Sequence, residues 1–130
     1  METLVLDATS LVDWLLKVEP QVRALDDLLT PASLIAPPHI HLEAAHSLKN
    51  LGRVFPKPVI EEAFESLTVL KVATLGFSEF AHLAWQHRHN LSFYDASYLA
   101  TAMITGSPLV TSDRKLATGA KNVCDVIEVA

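Results

Sequence analysis

The sequence is poor in cysteine and has no long apolar run. Cys124 is the single cysteine, so no disulfide can form within the chain, which suits a reducing cytosol. A membrane-spanning helix needs about 20 consecutive apolar residues, and no such stretch is present. The first ten residues, METLVLDATS, are acidic rather than basic and read directly into a strand. We therefore expect no secretory signal and no membrane span, and we expect a cytoplasmic protein.

Basic residues are also scarce. The chain has 10 Lys and Arg against 15 Asp and Glu, a net charge of −5. Because phosphate contacts need Lys and Arg, composition alone argues mildly against a nucleic-acid binder, although a local basic patch stays possible. The same balance fits a protein that concentrates acids to hold a metal. With 130 residues, half of them hydrophobic, the sequence predicts one globular domain over residues 1–130.

Short apolar runs alternate with segments of helical periodicity along the chain. The predicted strands are Thr3–Asp7, Ser33–Ala36, Lys71–Ala73, Leu109–Thr111 and Val123–Glu128. The predicted helices are Ser10–Lys17 (opened by a Ser10-to-Asp13 capping box), Gln21–Leu29, His39–Leu51 (ended by Gly52), Pro58–Leu70, Phe77–His89, a segment ended by Gly106, and Lys115–Ala120. This alternation predicts an α/β fold, specifically a three-layer α/β/α sandwich with a short, mostly parallel sheet.

Four acids stand out by their positions. Asp7 closes the first predicted strand and Asp113 follows the fourth, while Glu43 and Asp95 stand alone in long stretches without other acids. Ligands of open α/β sheets gather beyond the carboxyl ends of the strands. Carboxylates brought together there repel one another unless a cation is present. Oxygen ligands select hard ions such as Mg²⁺ or Mn²⁺, so the pattern suggests metal-assisted phosphodiester chemistry.

Each acid also has an ordinary structural explanation. Asp7 and Asp113 could cap the helices that follow them. Ser92 and Asp95 have capping-box spacing at the start of a helix. Glu43 could be an exposed residue near a helix N-terminus, where the helix dipole favours a carboxylate. The sequence by itself leaves both explanations open for every one of the four.

The segment LSFYDASYLATAMITG, Leu91 to Gly106, bears on Asp95 in particular. At about 100° per residue, Ser97, Thr101 and Thr105 cluster on one side of the predicted helix, and Asp95 falls on the opposite side beside Leu99. A carboxylate on a buried stripe is costly unless something pairs with it. The wheel therefore predicts a partner for Asp95 elsewhere in the fold.

Four segments resemble those of the PIN-domain nucleases, and more specifically the VapC-type toxins of toxin–antitoxin pairs. They are LVLDATSLV, LEAAHSL, LSFYDASYLATA and GSPLVTSDRKLA. The resemblance runs nearly end to end, and the family's acidic positions are matched by Asp7, Glu43, Asp95 and Asp113, with Thr9 as the small polar residue after the first of them. The resemblance implies a Mg²⁺-dependent endoribonuclease, with Mn²⁺ as a possible substitute, that is neutralised by a cognate antitoxin and forms a homodimer.

The resemblance also implies roles for individual residues. Asp7 and Asp95 would be direct metal ligands, and Glu43 and Asp113 would complete the pocket. Further side chains would orient the carboxylates or contact the RNA phosphate. These are Thr9, Thr111 and Ser112 for the carboxylates, and Arg114, Lys115, Lys49 and Arg53 for the phosphate, although each basic residue could equally be a solvated surface charge.

Two rival interpretations remain. The segment HIHLEAAH contains a Glu43-to-His46 spacing found in di-iron proteins, but those proteins need two such motifs on long helices. A non-catalytic α/β module could use an acidic sheet edge to bind Mg²⁺ or a basic peptide. Metal-dependent RNA cleavage distinguishes a nuclease from such a module.

Overall fold

A computed structural model describes residues 2–129 as a five-stranded sheet flanked by helices. The strands are β1 (Thr3–Leu6), β2 (Ser33–Ala36), β3 (Ala73–Thr74), β4 (Leu109–Thr111) and β5 (Val126–Glu128). The helices are α1 (Ala8–Leu15), α2 (Gln21–Leu29), α3 (Ile40–Leu51), α4 (Lys57–Val69), α5 (Phe77–Gln86), α6 (Phe93–Thr105) and α7 (Arg114–Ala120). The predicted α/β architecture is confirmed, and the sheet is parallel at every pairing.

The strand order β3-β2-β1-β4-β5 reverses direction at the centre of the sheet. From β1 the chain winds outward through β2 and β3, and it then returns to place β4 on the other side of β1. Such a reversal leaves a crevice beyond the carboxyl ends of the two central strands, because the connections leave them in opposite directions. The crevice here lies where β1 ends at Leu6 and β4 ends at Thr111.

The core is built around β1, β4 and α6. Leu4, Val5 and Leu6 are fully buried, and so are Leu109 and Val110 of β4. Strands covered on both faces read as continuous apolar runs, and this explains the pattern of both segments. Within the described part of the chain, no helix is both long and apolar enough to cross a membrane.

Helix α6 is buried on the side that carries its hydroxyl groups. Ser97 and Thr101 are fully buried, because α6 contacts α5 and three strands. Their hydroxyls donate to backbone carbonyls one turn earlier, Ser97 to Tyr94 O at 2.5 Å and Thr101 to Ser97 O at 2.8 Å. This local bonding gives the hydrogen of each buried hydroxyl an acceptor within its own helix.

Several helix and strand boundaries differ from the predicted ones. Helix α1 begins at Ala8 rather than Ser10, because Asp7 is its N-cap, so the proposed Ser10-to-Asp13 box does not open the helix. Strand β3 begins at Ala73 rather than Lys71. Strand β5 begins at Val126, because the backbone N–H groups of residues 123 and 124 still bond to the carbonyl at the end of α7. Gly106, with φ of 66°, ends α6 in the left-handed conformation that favours glycine.

Candidate active site

Asp7 lies at the centre of the crevice. It directly follows β1, caps α1, and is only 2% exposed. Its Oδ1 accepts hydrogen bonds from the backbone N of Ser10 at 2.9 Å and from Ser10 Oγ at 2.7 Å. Its Oδ2 accepts from Thr9 Oγ1 at 2.8 Å and from Thr111 Oγ1 at 2.5 Å. Burial raises the pKa of Asp7 even though these donors act to lower it.

Asp113 is tied to Asp7 through the end of β4. The Thr111 hydroxyl donates to Asp7, and it accepts from the backbone N of Asp113 at 2.9 Å. Asp113 then caps α7, since its Oδ1 accepts from the backbone N of Lys115 at 2.9 Å and of Leu116 at 3.3 Å. Capping and membership of the acid cluster are therefore compatible at Asp113, as they are at Asp7.

Glu43 reaches the crevice from the first turn of α3. Its Oε1 accepts from the Tyr98 hydroxyl at 2.8 Å and lies 3.3 Å from Nε2 of His39. Partial burial raises the pKa of Glu43, the Tyr98 hydrogen bond lowers it, and the charge of Asp7 raises it. Because the charge of Asp7 raises the pKa of Glu43, the two carboxylates interact electrostatically.

Asp95 completes the group from the first turn of α6. Its backbone N donates to Ser92 Oγ at 3.1 Å, so Ser92 caps the helix as the sequence predicts. The Asp95 carboxylate is half-buried, and its pKa is raised first by burial and then by the charges of Asp113, Asp7 and Glu43. The four predicted acids therefore lie within electrostatic range of one another, with Asp95 in the field of the other three.

The donor chemistry of this site fits a hard divalent cation, because the converging groups are carboxylates that repel one another. Among residues 2–129, however, no group of three or more His, Cys, Asp and Glu side chains is arranged as it would be around a bound metal. The carboxylates of Asp7 and Glu43 are turned toward hydroxyl donors instead. A cation would therefore be bound by carboxylates that the protein already holds in place.

Comparison with known proteins settles the family. Residues 4–122 match the PIN domain. The chain belongs to the PIN domain family. It is 30% identical to Ribonuclease VapC3 of Mycobacterium tuberculosis over 118 residues, covering 89% of this chain and 86% of that protein. It is 31% identical to Ribonuclease VapC1 of the same organism, covering 97% of each. The fold is similar to the crystal structure of PAE2754 from Pyrobaculum aerophilum, with a TM-score of 0.64, 23% identity, and coverage of 95% and 89%.

The predicted orienting residues of this PIN domain divide into two groups. Thr9 and Thr111 both donate to Asp7, as expected. Ser112 does not bond to a carboxylate: its backbone N donates to Thr9 Oγ1 at 3.3 Å, and its buried Oγ has no hydrogen-bond partner within residues 2–129. Ser112 lies just beyond the end of β4 at Thr111, so it does not share the position of Thr111 beside Asp7.

The predicted phosphate contacts lie at different distances from the site. Arg114 and Lys115 are exposed in the first turn of α7, beside Asp113, and Arg114 Nε lies 3.9 Å from Glu128 Oε2. Lys49 lies six residues beyond Glu43, roughly 9 Å along α3, and Arg53 follows that helix. The N-terminal turn of α7 is therefore the better placed basic segment.

Sequence reasoning missed the side chains that hold Glu43. Tyr98 is buried and lies one helical turn after Asp95, and His39 lies one turn before Glu43. The i,i+3 and i,i+4 spacings of these pairs were visible in the sequence. Nothing in the sequence indicated that α6 and α3 face each other, however. The rival di-iron spacing is not used, since His46 bonds to Asn50 rather than to a shared site.

Proposed function

We propose that this PIN domain is a Mg²⁺-dependent endoribonuclease that hydrolyses RNA phosphodiester bonds as the toxin of a type II toxin–antitoxin pair. The observation that carries the proposal is the meeting of four carboxylates, Asp7, Glu43, Asp95 and Asp113, beyond the carboxyl ends of β1 and β4. The names of the two relatives, both ribonucleases, support the reaction class.

In this proposal Asp7 and Asp95 hold the cation directly, and Glu43 and Asp113 complete its surroundings. A bound Mg²⁺, or Mn²⁺ in its place, would supply positive charge against the phosphate oxygens and favour deprotonation of a water. The chain's own residues prepare the site. Thr9, Ser10 and Thr111 fix the Asp7 carboxylate, as outer partners of metal ligands commonly do.

Substrate binding is proposed for the basic turn after Asp113. Arg114 is exposed and its nearest acidic partner is 3.9 Å away, so its guanidinium is free to contact a phosphate. We further propose one domain, a homodimeric assembly, a cytoplasmic location and an antitoxin partner. The acidic crevice would attract a basic segment of that antitoxin, because the chain carries a net charge of −5.

The test is cleavage of a pool of end-labelled single-stranded oligoribonucleotides by the purified protein, with millimolar Mg²⁺ or with EDTA. We expect cleavage only with Mg²⁺, and a loss of at least about a hundredfold in Asp95→Asn. Asp27→Asn is the matched control, because Asp27 is an exposed carboxylate on α2. Cleavage in the presence of EDTA, or cleavage by Asp95→Asn at the wild-type rate, would show that a contaminating nuclease is responsible. Metal binding without cleavage would favour the non-catalytic module.

A further inference from the structure

Glu43 is held at one of its two oxygens. Oε1 accepts the Tyr98 hydroxyl at 2.8 Å and lies 3.3 Å from His39 Nε2, while Oε2 has no hydrogen bond or ion pair within residues 2–129. A carboxylate oxygen has two lone-pair positions. Tyr98 therefore occupies one position on Oε1, His39 lies beside that oxygen, and Oε2 carries no protein donor within residues 2–129.

The Tyr98 hydroxyl donates its hydrogen bond to Glu43 because its buried position offers it no solvent. Its side chain is 1% exposed, and Glu43 is the partner of its hydroxyl. A buried hydroxyl without a partner would be costly, so the core itself keeps this bond in place. Burial and the nearby charge of Glu43 raise the pKa of Tyr98, so the phenol retains its hydrogen throughout the physiological range.

His39 lies beside the same Glu43 oxygen but gives its hydrogen elsewhere, as hydrogen counting shows. The Ser97 hydroxyl has one hydrogen, and it donates that hydrogen to the Tyr94 carbonyl at 2.5 Å. Ser97 Oγ also lies 3.0 Å from His39 Nε2, so it must accept there, and Nε2 must carry a hydrogen. That hydrogen therefore goes to Ser97, and the 3.3 Å separation of Nε2 from Glu43 Oε1 is a close approach without a hydrogen bond.

Three aromatic rings fix the direction of that N–H. The rings of Tyr94, Tyr98 and Phe80 contact the His39 imidazole edge-on, with centroid distances of 5.4, 5.6 and 6.5 Å. Edge-to-face contacts of this kind have a preferred geometry and so restrict rotation of the ring. The imidazole is therefore held in place beside Oε1 of Glu43.

We infer that Tyr98 is a positioning residue that binds Oε1 of Glu43, that the His39 imidazole restricts access to that oxygen, and that Oε2 is the oxygen this side chain offers to a divalent cation. The inference rests on the proposed function, since it concerns the same site. It makes the direction of the Glu43 carboxylate a property of α6 and of His39 rather than of the ion.

The test is a titration of each protein with Mn²⁺ alone, in which electron paramagnetic resonance measures the concentration of the free ion. Thermal melting of the metal-free proteins shows whether each variant is folded. Tyr98→Phe removes the donor and keeps the buried ring. Tyr94→Phe is the matched control, because Tyr94 is exposed and its hydroxyl does not contact Glu43. Both changes are repeated in a Glu43→Gln background. His39→Gln removes the imidazole beside Oε1, and because His39 also contacts the Tyr98 ring, melting of this metal-free variant checks that the core is retained.

We expect Tyr98→Phe to weaken Mn²⁺ binding about tenfold and His39→Gln to weaken it several-fold, with Tyr94→Phe unchanged. In the Glu43→Gln background, Tyr98→Phe should change the affinity less than about twofold, because the two residues act as one unit. Wild-type affinity in both Tyr98→Phe and His39→Gln, or an equal loss in the Glu43→Gln background, would overturn the inference alone. Absence of Mn²⁺ binding by the wild type would overturn the proposed metal-dependent function, and the inference with it.

Discussion

The hydroxyl of Thr111 donates to the carboxylate of Asp7, joining residues 104 positions apart in the chain at an O···O distance of 2.5 Å. The bond crosses between β1 and β4, the neighbouring strands at which the sheet order reverses. It is buried, so solvent cannot replace it if either partner is removed. The acid site and the central pairing of the sheet therefore share one interaction.

Replacement of Thr111 by Val should destabilise the protein. The change keeps the side-chain shape but removes both the donor to Asp7 and the acceptor for the backbone N of Asp113. We expect a loss of about 1–2 kcal/mol in the free energy of unfolding, measured by urea denaturation. Thr105→Val is the control, because that hydroxyl bonds only to carbonyls of its own helix, and it should change stability by less than about 0.5 kcal/mol. Equal losses would show that the Asp7 contact has no special weight.

The pKa of Asp95 predicts how stability depends on pH in EDTA. Its folded pKa lies above its ordinary value of 3.8, because burial and the charges of Asp113, Asp7 and Glu43 disfavour the ionised form. Protonation is therefore easier in the folded state, and ionisation costs stability as pH rises through the folded pKa. Asp95→Asn should be more stable than the wild type at neutral pH, by less than about 1.4 kcal/mol because the group is half-exposed.

The advantage of Asp95→Asn should shrink as pH falls toward 4. It is read from unfolding curves of both proteins at each pH, so that other titrating groups cancel in the comparison. His39 is one such group, since burial lowers its pKa. An advantage that stays constant with pH would mean that Asp95 carries no repulsion, and the capping role with Ser92 would then account for it alone.

The acids were predictable because their placement is local. Asp7 and Asp113 follow apolar strand runs. Because ligands gather beyond the carboxyl ends of parallel strands, these positions predict a shared site. The contact between Glu43 and Tyr98 was not predictable in the same way. It joins α3 to α6 across 55 residues, and it depends on how those helices pack. The burial of Ser97 and Thr101 was likewise not visible in the helical periodicity, because a helix covered from several sides has no solvated face.

Millimolar Mg²⁺ should raise the melting temperature of the wild type and have little effect on Asp95→Asn. An ion that binds only the folded state stabilises it by about 2.7 kcal/mol at a hundredfold excess over Kd. The carboxylate of Asp95 faces the charges of three other acids, so its removal weakens the field that attracts the cation. Asp27→Asn, on the exposed surface of α2, should gain as much as the wild type. A gain of the same size in Asp95→Asn would place the ion elsewhere.

Arg114→Ala should raise KM for RNA several-fold, leave kcat nearly unchanged, and weaken the dependence of KM on salt. Arg114 lies beside Asp113 at the start of α7, and a basic side chain that neutralises a phosphate makes RNA binding more sensitive to salt. Its exposed pairing with Glu128 at 3.9 Å contributes less than about 0.5 kcal/mol, so melting should match the wild type. Lys121→Ala removes an exposed charge at the opposite end of α7 and is the control. Equal effects of the two changes on KM would indicate a general reduction of positive charge rather than a phosphate contact at Arg114.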